Sequence, residues 1–422
     1  MKLLIQSAEI VDPNSPYNKK TKDILIETGT IVKIGEKIKP KSEYRVFNAK
    51  GLKISPGWFD MHASLGDPGF EHKEDLESGS KAAVSGGFTG LACMPETNPT
   101  IHSKSEVEYI KNKSSGFLVD IYPVGAVTMN REGNDLTEMY DMHEAGAVAF
   151  SDANHPISNA FSMLKALLYV KPFNGVILSL PEDTSLSNGG VMNEGATSVN
   201  LGLKGIPSLS EESMAMRDIH LAEYTNSRVH FTHVSSAKVI DMIRVAKKKG
   251  IKVSASVSSF HLAYDDSYLK DYDTYFKVQP PLRTENDIKA LKKGLADGTI
   301  DVICSSHSPQ DEESKKIEFD FAKFGIINLE TSFALANTYL NDKISLDLII
   351  QKIAIMPRTI LGLTVPSIKE DEKANLTLFD PKQEWVFEEK NIKSKSRNSP
   401  LIGMKLIGKA VAVFNNGKFN MN

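Results

Sequence analysis

An α/β fold, a (β/α)8 TIM barrel carrying a small β-sandwich made from both ends of the chain, is what this sequence predicts. Three observations point to it. Apolar and polar residues alternate with a period of two at both termini. The long middle repeats a short apolar run, a loop and a longer amphipathic stretch. Residues with metal-binding side chains recur where several of those short runs end.

The terminal strands come first. KLLIQSAEIVDP, KDILIETGTIVKIG and YRVFNAKGLKI alternate over the first fifty or so residues, and ANLTLFDP, EWVF and KAVAVFNNGKF bring the same texture back at the other end. Two strand-rich ends around a different middle predict one composite β-sandwich, residues 1–53 with 366–422, because connected elements tend to pack together. Between them, residues 54–365 hold eight candidate strands: ISPGWFDMH, FTGLACMP, VDIYPVGAVT, GAVAFS, NGVILSL, RVHFTH, IKVSASV and DVICSS. Helix-like stretches alternate with them, among them KSEVEYIKNK, SEESMAMRDIHLAEYTN, AKVIDMIRVAKKKG and ENDIKALKKGLADG, with polar starts and glycine stops. Eight such repeats close a barrel, whereas an open doubly wound sheet usually stops earlier.

Composition narrows the function classes. With 422 residues, 41% hydrophobic and 24% charged, the chain has the make-up of a globular protein with one large and one small domain. A net charge of −3 gives no electrostatic pull toward nucleic acid or an anionic membrane surface. The start, MKLLIQSAEIVDP, turns polar at Gln6, too soon for a secretory leader, and no long uncharged apolar window follows, so a cytoplasmic protein is expected. Cys93 and Cys304 sit in separate apolar runs and are expected to fill core volume.

In a (β/α)8 barrel the chemistry gathers at the C-terminal ends of the strands. The residues there include His62, Asp152, Leu180, His233 and Ser306. Two histidines and an aspartate from three strands are raw material for a divalent metal site, although each alone is as ordinary as a structural residue. Leu180 and Ser306 add no comparable donor.

At this point the motifs carry a resemblance. PGWFDMHASLGDPG from Pro56 to Gly69, MPETNP from Met94, VMNEG from Val191, LGLKGIPSLSEE, VHFTHVSSA, QPPLRTENDIKAL, DGTIDVICSSHSP, FGIINLET and SKSRNSPLIG run in order along the chain. Together they resemble the dihydroorotase branch of the amidohydrolases. The resemblance implies a barrel with a composite sandwich, one or two zinc ions at the mouth, ring opening by a metal-activated hydroxide and an aspartate that shuttles the proton. A ring amide is a poor electrophile, which is why such chemistry uses a Lewis acid.

Residue by residue, the implied site is incomplete. His62 matches the first histidine of the family's HxH pair, but the second position is Ser64. Asp152 matches the acidic ligand and His233 the sixth-strand histidine. Leu180 replaces the histidine of HxED, and Ser306 stands where the DHAP aspartate would be ligand and general acid/base. The carboxylate anchors depart too: Gly66 replaces an arginine, Glu96 an asparagine, Gln279 another asparagine and Gln310 a histidine. A guanidinium–carboxylate contact is thereby replaced by a glycine near a like charge. The resemblance therefore implies a non-catalytic dihydroorotase-like chain with no zinc or one weakly held zinc. Inactive relatives that assemble with aspartate carbamoyltransferase make that enzyme the expected partner, besides a homo-oligomer. The alternative is an active single-metal cyclic amidohydrolase built on His62, Asp152 and His233, and a metal-free binding module is a third reading.

Overall fold

A computed structural model describes residues 2–340 and 343–422. The chain opens with strands β1 (Lys2–Ile10), β2 (Thr21–Glu27), β3 (Thr30–Gly35), β4 (Arg45–Asn48) and β5 (Lys53–Pro56). It continues through β6 (Trp58–Ala63), α1 (Leu76–Ser85), β7 (Phe88–Cys93), α2 (Lys104–Lys113), β8 (Asp120–Gly125), α3 (Met139–Ala145), β9 (Ala149–Phe150), α4 (Ala160–Val170) and β10 (Val176–Ser179). An excursion of short pieces follows: α5 (Thr184–Ser187), β11 (Met192–Asn193), α6 (Ala196–Leu201) and β12 (Gly205–Ile206). The regular alternation resumes with α7 (Ser208–Thr225), β13 (Arg228–Phe231), α8 (Ala237–Lys248), β14 (Val253–Ser258), α9 (Glu285–Ala296) and β15 (Val302–Cys304). After α10 (Glu312–Lys315), α11 (Ser332–Leu340), α12 (Leu346–Ile350) and α13 (Met356–Leu361), strands β16 (Leu376–Val386), β17 (Lys405–Asn415) and β18 (Lys418–Met421) end the chain.

The second sheet runs β15-β14-β13-β10-β9-β8-β7-β6, with parallel neighbours throughout. Its two edges meet: Ala63 bridges His307, the Ser64 amide donates to the His307 carbonyl at 2.8 Å, and Ser305 donates its amide (2.7 Å) and hydroxyl (2.5 Å) to the Asp60 carboxylate. The predicted eight-stranded barrel is thus closed. Successive strand residues alternate sides, as period two requires. Ile177 and Ile303 face helix residues such as Ala82, Ile110 and Met163, while Val176, Leu178, Val302 and Cys304 join Phe59 and Met61 in a separate core. The helices are set by local signals; α2, for instance, starts at a reciprocal cap in which Ser103 and Glu106 satisfy each other's backbone amides.

Both chain ends build the other sheet, in the order β18-β17-β16-β5-β1-β2-β3 with β4 also on β1. It curls over: the Ile31 amide donates to the Glu372 carbonyl at 2.9 Å and Ala374 to Gly29 at 2.8 Å, so the β3 edge returns to the chain just ahead of β16. Leu3, Ile5, Ile24, Leu376 and Phe414 fill the space enclosed. The sequence separates ANLTLFDP from EWVF, whereas both lie in β16. Their pairing with β17 shifts register between Asp380 and Glu384, because Pro381 has no N–H for the ladder.

Sheet and barrel meet at Gly57. A Cβ there would lie 1.9 Å from Asn375 Oδ1 and 2.2 Å from Thr89 Oγ1, so only glycine lets the strands hand over. Beside it the fully buried Trp58 ring packs against Phe333 of α11 (4.4 Å) and Phe379 of β16 (5.3 Å), and its Nε1 donates to Ser55 Oγ at 3.0 Å. Among the described residues no helix is long and apolar enough to cross a membrane. Cys93 and Cys304 are buried, unpaired thiols.

Candidate functional site at the barrel mouth

A cavity of about 200 Å³ opens at the C-terminal ends of the barrel strands. His62, Ser64, Gly66, Glu96, Leu180 and His233 line it, and so do Gln279, Ser306 and Gln310. Every sequence-predicted site residue except Asp152 therefore faces one space.

The two histidines are neighbours. The rings of His62 and His233 lie 4.4 Å apart, centroid to centroid, edge to face. Burial lowers the His62 pKa to about 4, against a smaller upward pull from Glu96, and pushes His233 well below the ordinary value. Both are neutral imidazoles at neutral pH. His62 Nδ1 and His233 Nε2 are buried with no hydrogen-bond partner, while His233 Nδ1 lies 3.3 Å from Ser256 Oγ and 3.1 Å from Cys304 Sγ.

Asp152 does not join them, against the expected convergence of His62, Asp152 and His233. Its carboxylate accepts from the amides of Val127 (2.8 Å) and Thr128 (3.0 Å) and from the Thr128 hydroxyl (2.5 Å). These bonds tie the ends of β8 and β9 together. Together they take three of the carboxylate's roughly four acceptor sites. Among the described residues no group of three or more His, Cys, Asp or Glu side chains is placed to hold a metal ion. Zinc needs several lone pairs aimed at one point, and the bare imidazole nitrogens of the mouth, on His62, His233 and His261, are not gathered into such a group. The residues present do not fit the group.

Four of the departing positions, Ser64, Glu96, Gln279 and Gln310, have new local partners. The Ser64 hydroxyl donates to the Glu96 carboxylate, so the second position of the histidine pair and the former asparagine position satisfy each other. Gln279 Nε2 donates to Glu182 at 2.7 Å. Gln310 accepts from Lys73 Nζ at 2.9 Å and donates to the Phe324 carbonyl at 3.1 Å. Gly66 is left-handed, with φ +65°, and a Cβ there would lie 2.8 Å from the Phe70 carbonyl oxygen and 3.0 Å from that of Glu74. The loop has closed over the space an arginine would need. Ser306 is also left-handed, at φ +54°, a costly conformation for a residue other than glycine.

Other residues of the mouth escaped the sequence reading. Glu74 is fully buried; burial raises its pKa, but His307 Nε2 at 3.4 Å and the hydroxyls of Ser394 and Ser78 outweigh that and hold it low. Arg131 donates from Nη1 to Asn154 at 2.9 Å, and its Nε is buried without a partner. His261 Nε2 bonds the Pro280 carbonyl at 2.9 Å. Only His307 stood in a motif, in SHSP; the others lie in polar loops with no spacing to single them out. The roof, roughly residues 308–327, is pinned by two buried lysines. Lys277 Nζ donates to the Phe319 (2.6 Å) and Asp320 (3.1 Å) carbonyls, and Lys315 Nζ to those of Lys323 (2.8 Å) and Gly325 (3.1 Å).

Comparison with known proteins agrees with this architecture. Residues 51–239 match the family described as dihydro-orotase-like, and residues 186–419 the amidohydrolase family. The L-hydantoinase of Arthrobacter aurescens superposes with a TM-score of 0.87 at 20% identity, covering 99% of this chain and 95% of its own, and a D-hydantoinase with 0.86 at 22%, covering 100% and 95%. Those likenesses concern the fold alone. Barrel and curled outer sheet thus define an amidohydrolase-type protein. The dihydroorotase of Geotalea daltonii is 40% identical over 420 residues, 99% of either chain, and that of Acetivibrio thermocellus 41% identical over 419 residues, 98% of either. The chain belongs to the dihydroorotase family.

Proposed function

We propose that this chain is a dihydroorotase homologue of pyrimidine biosynthesis whose barrel mouth no longer opens dihydroorotate, and that it acts in the cytoplasm as a non-catalytic subunit. One observation carries the reading: the mouth gathers His62 and His233, while Asp152 is engaged by Val127 and Thr128 and the positions of the remaining donors are Ser64, Leu180 and Ser306. Without a proton-transferring side chain at 306 the family reaction loses about 10²- to 10⁴-fold. Lacking a metal-activated water it also loses its nucleophile. Aspartate carbamoyltransferase is the proposed partner, on the strength of the family resemblance.

A second reading, resting on the family resemblance, is a single-metal enzyme acting on another cyclic amide or imide, for which the bare nitrogens of His62 and His233 would be the starting donors. One experiment separates the two: dihydroorotate ring opening, in both directions, and bound metal are measured on protein purified with zinc present. The expected outcome is no turnover and less than one zinc per chain. Turnover near 1 s⁻¹, within the ordinary enzyme range, or stoichiometric zinc overturns the subunit reading. Association with the aspartate carbamoyltransferase of the same organism, followed by co-sedimentation, tests the partner.

A further inference from the structure

A second cavity, of about 700 Å³, opens where the outer sheet lies against the barrel helices, and it shares no lining residue with the mouth. Its size falls in the range of small-molecule sites, roughly 300–1,000 Å³. Residues of α1, α11, β16 and β17 enclose it. Aromatic rings make its apolar wall: Phe333 and Phe387 are buried there, and Phe117 and Trp385 half-buried. The charges around these rings are mostly of one sign. Lys81, Lys393, Lys409 and Lys418 line the cavity, in a chain whose net charge is −3. Lys81 is answered by Glu77 at 2.7 Å, whereas among the described residues Lys393, Lys409 and Lys418 have no acidic partner within ion-pair distance. Lys418 donates to the Gly116 carbonyl, and Lys409 Nζ lies 5.5 Å from the Trp385 ring centre. Besides Glu77, the carboxylates at the cavity are Glu330 and the chain end at Asn422. One oxygen of Glu330 accepts from the Lys393 and Ser394 amides and the other, buried, has no partner. Burial, with Glu74 adding repulsion, raises its pKa to about 7, so a large part of it is uncharged at neutral pH.

We propose that this cavity is a binding site for an aromatic carboxylate, with the ring system against Trp385, Phe333 and Phe387 and the carboxylate toward the lysine rim. An apolar wall beside unpaired ammonium groups suits one kind of ligand. A neutral hydrocarbon would leave the lysines without a counter-charge, and a polyanion would meet Glu77 and the chain end. A single anionic group on an aromatic body satisfies wall and rim together, because a lysine ammonium is a compact point charge on a flexible stem. The ligand would sit between the two layers of the molecule, so its binding also adds to the stability of the folded chain. This site is independent of whether the mouth is active.

The test is fluorescence titration of the full chain with anilinonaphthalene sulfonate, an aromatic anion that reports apolar surroundings. It should saturate a single site with a dissociation constant on the order of 10 μM, the affinity usual for a ligand of that size. Naphthoate should displace it, and naphthamide, the same ring system without the charge, should do so roughly tenfold more weakly. Lys393→Met with Lys409→Met keeps the apolar stems while removing two charges; it should weaken the probe roughly tenfold and leave the circular dichroism that of the wild type. Lys73→Glu, in the mouth, should leave the titration unchanged. The absence of saturable binding, a naphthamide as potent as naphthoate, or a Lys73→Glu protein that loses the probe as the double lysine variant does would each overturn the proposal. The competition arm uses the wild type alone, so it decides even if the double variant fails to fold.

Discussion

Gly66 shows how far a single position can decide. In the family an arginine is expected there, yet here the backbone is left-handed and a Cβ would press on two carbonyl oxygens. Restoring the carboxylate anchor by Gly66→Arg would therefore unfold the 66–74 loop before it bound anything. Even Gly66→Ala should destabilise by about 1–3 kcal/mol, read from urea midpoints; a neutral substitution would show the loop to be slack. Glu330 makes a second residue-scale case. Burial, with Glu74 nearby, raises its pKa to about 7 against the backbone bonds from Lys393 and Ser394, and its Oε2 is sealed without a partner. The folded state thus holds a proton that the unfolded chain, ionising near 4, has released. Stability from this group is full below about pH 4 and is lost as pH rises toward 7. Glu330→Gln has no such slope, so variant and wild-type stabilities should move in the variant's favour by roughly 1 kcal/mol per pH unit between pH 5 and 7. A difference independent of pH would contradict the assignment.

At the scale of elements, the roof of the mouth depends on α10. Lys315 ends that helix and aims its ammonium at carbonyls of the segment that follows, while burial, with Lys277 adding repulsion, lowers its pKa to about 7. A buried carbonyl left without its donor costs about 1–3 kcal/mol. Lys315→Met should accordingly loosen residues 316–326 while the barrel strands stay protected, measured as faster amide exchange confined to that segment. Unchanged exchange there would mean that other contacts hold the roof. The strands and principal helices are legible in the sequence because their periodicity and caps are local, as with Ser103 and Glu106 at the start of α2. The bulged β16 is less so. Its two halves read as separate strands until β17 is seen pairing with both.

Across the whole molecule, Trp58 joins the two layers. Its ring touches a helix outside the barrel and a strand of the outer sheet, and its indole N–H reaches back to Ser55. Trp58→Ala should cost about 3–5 kcal/mol, in the range for large aromatic truncations in a core. Barrel and sheet should still melt in a single calorimetric transition, because β5 pairs with β16 right beside the entry to the barrel. Two resolved transitions would mean that the layers fold independently.

The sequence by itself determined the architecture and most of the mouth. Hydrophobic period and turn residues are short-range properties, and barrel topology carries every strand end to one rim, so His62, Leu180, His233 and Ser306 could be assigned to one place from the sequence, with Ser64 added by the family resemblance. Asp152, assigned there too, does not line the cavity. Only the tertiary structure decided what those residues do there. Whether Asp152 faces a metal or two backbone amides depends on how β8 and β9 end against each other, and whether Gly66 is merely an absent arginine depends on the carbonyls of a loop folded over it. These are contacts between segments remote in the chain or set by left-handed backbone, and no period or spacing encodes them.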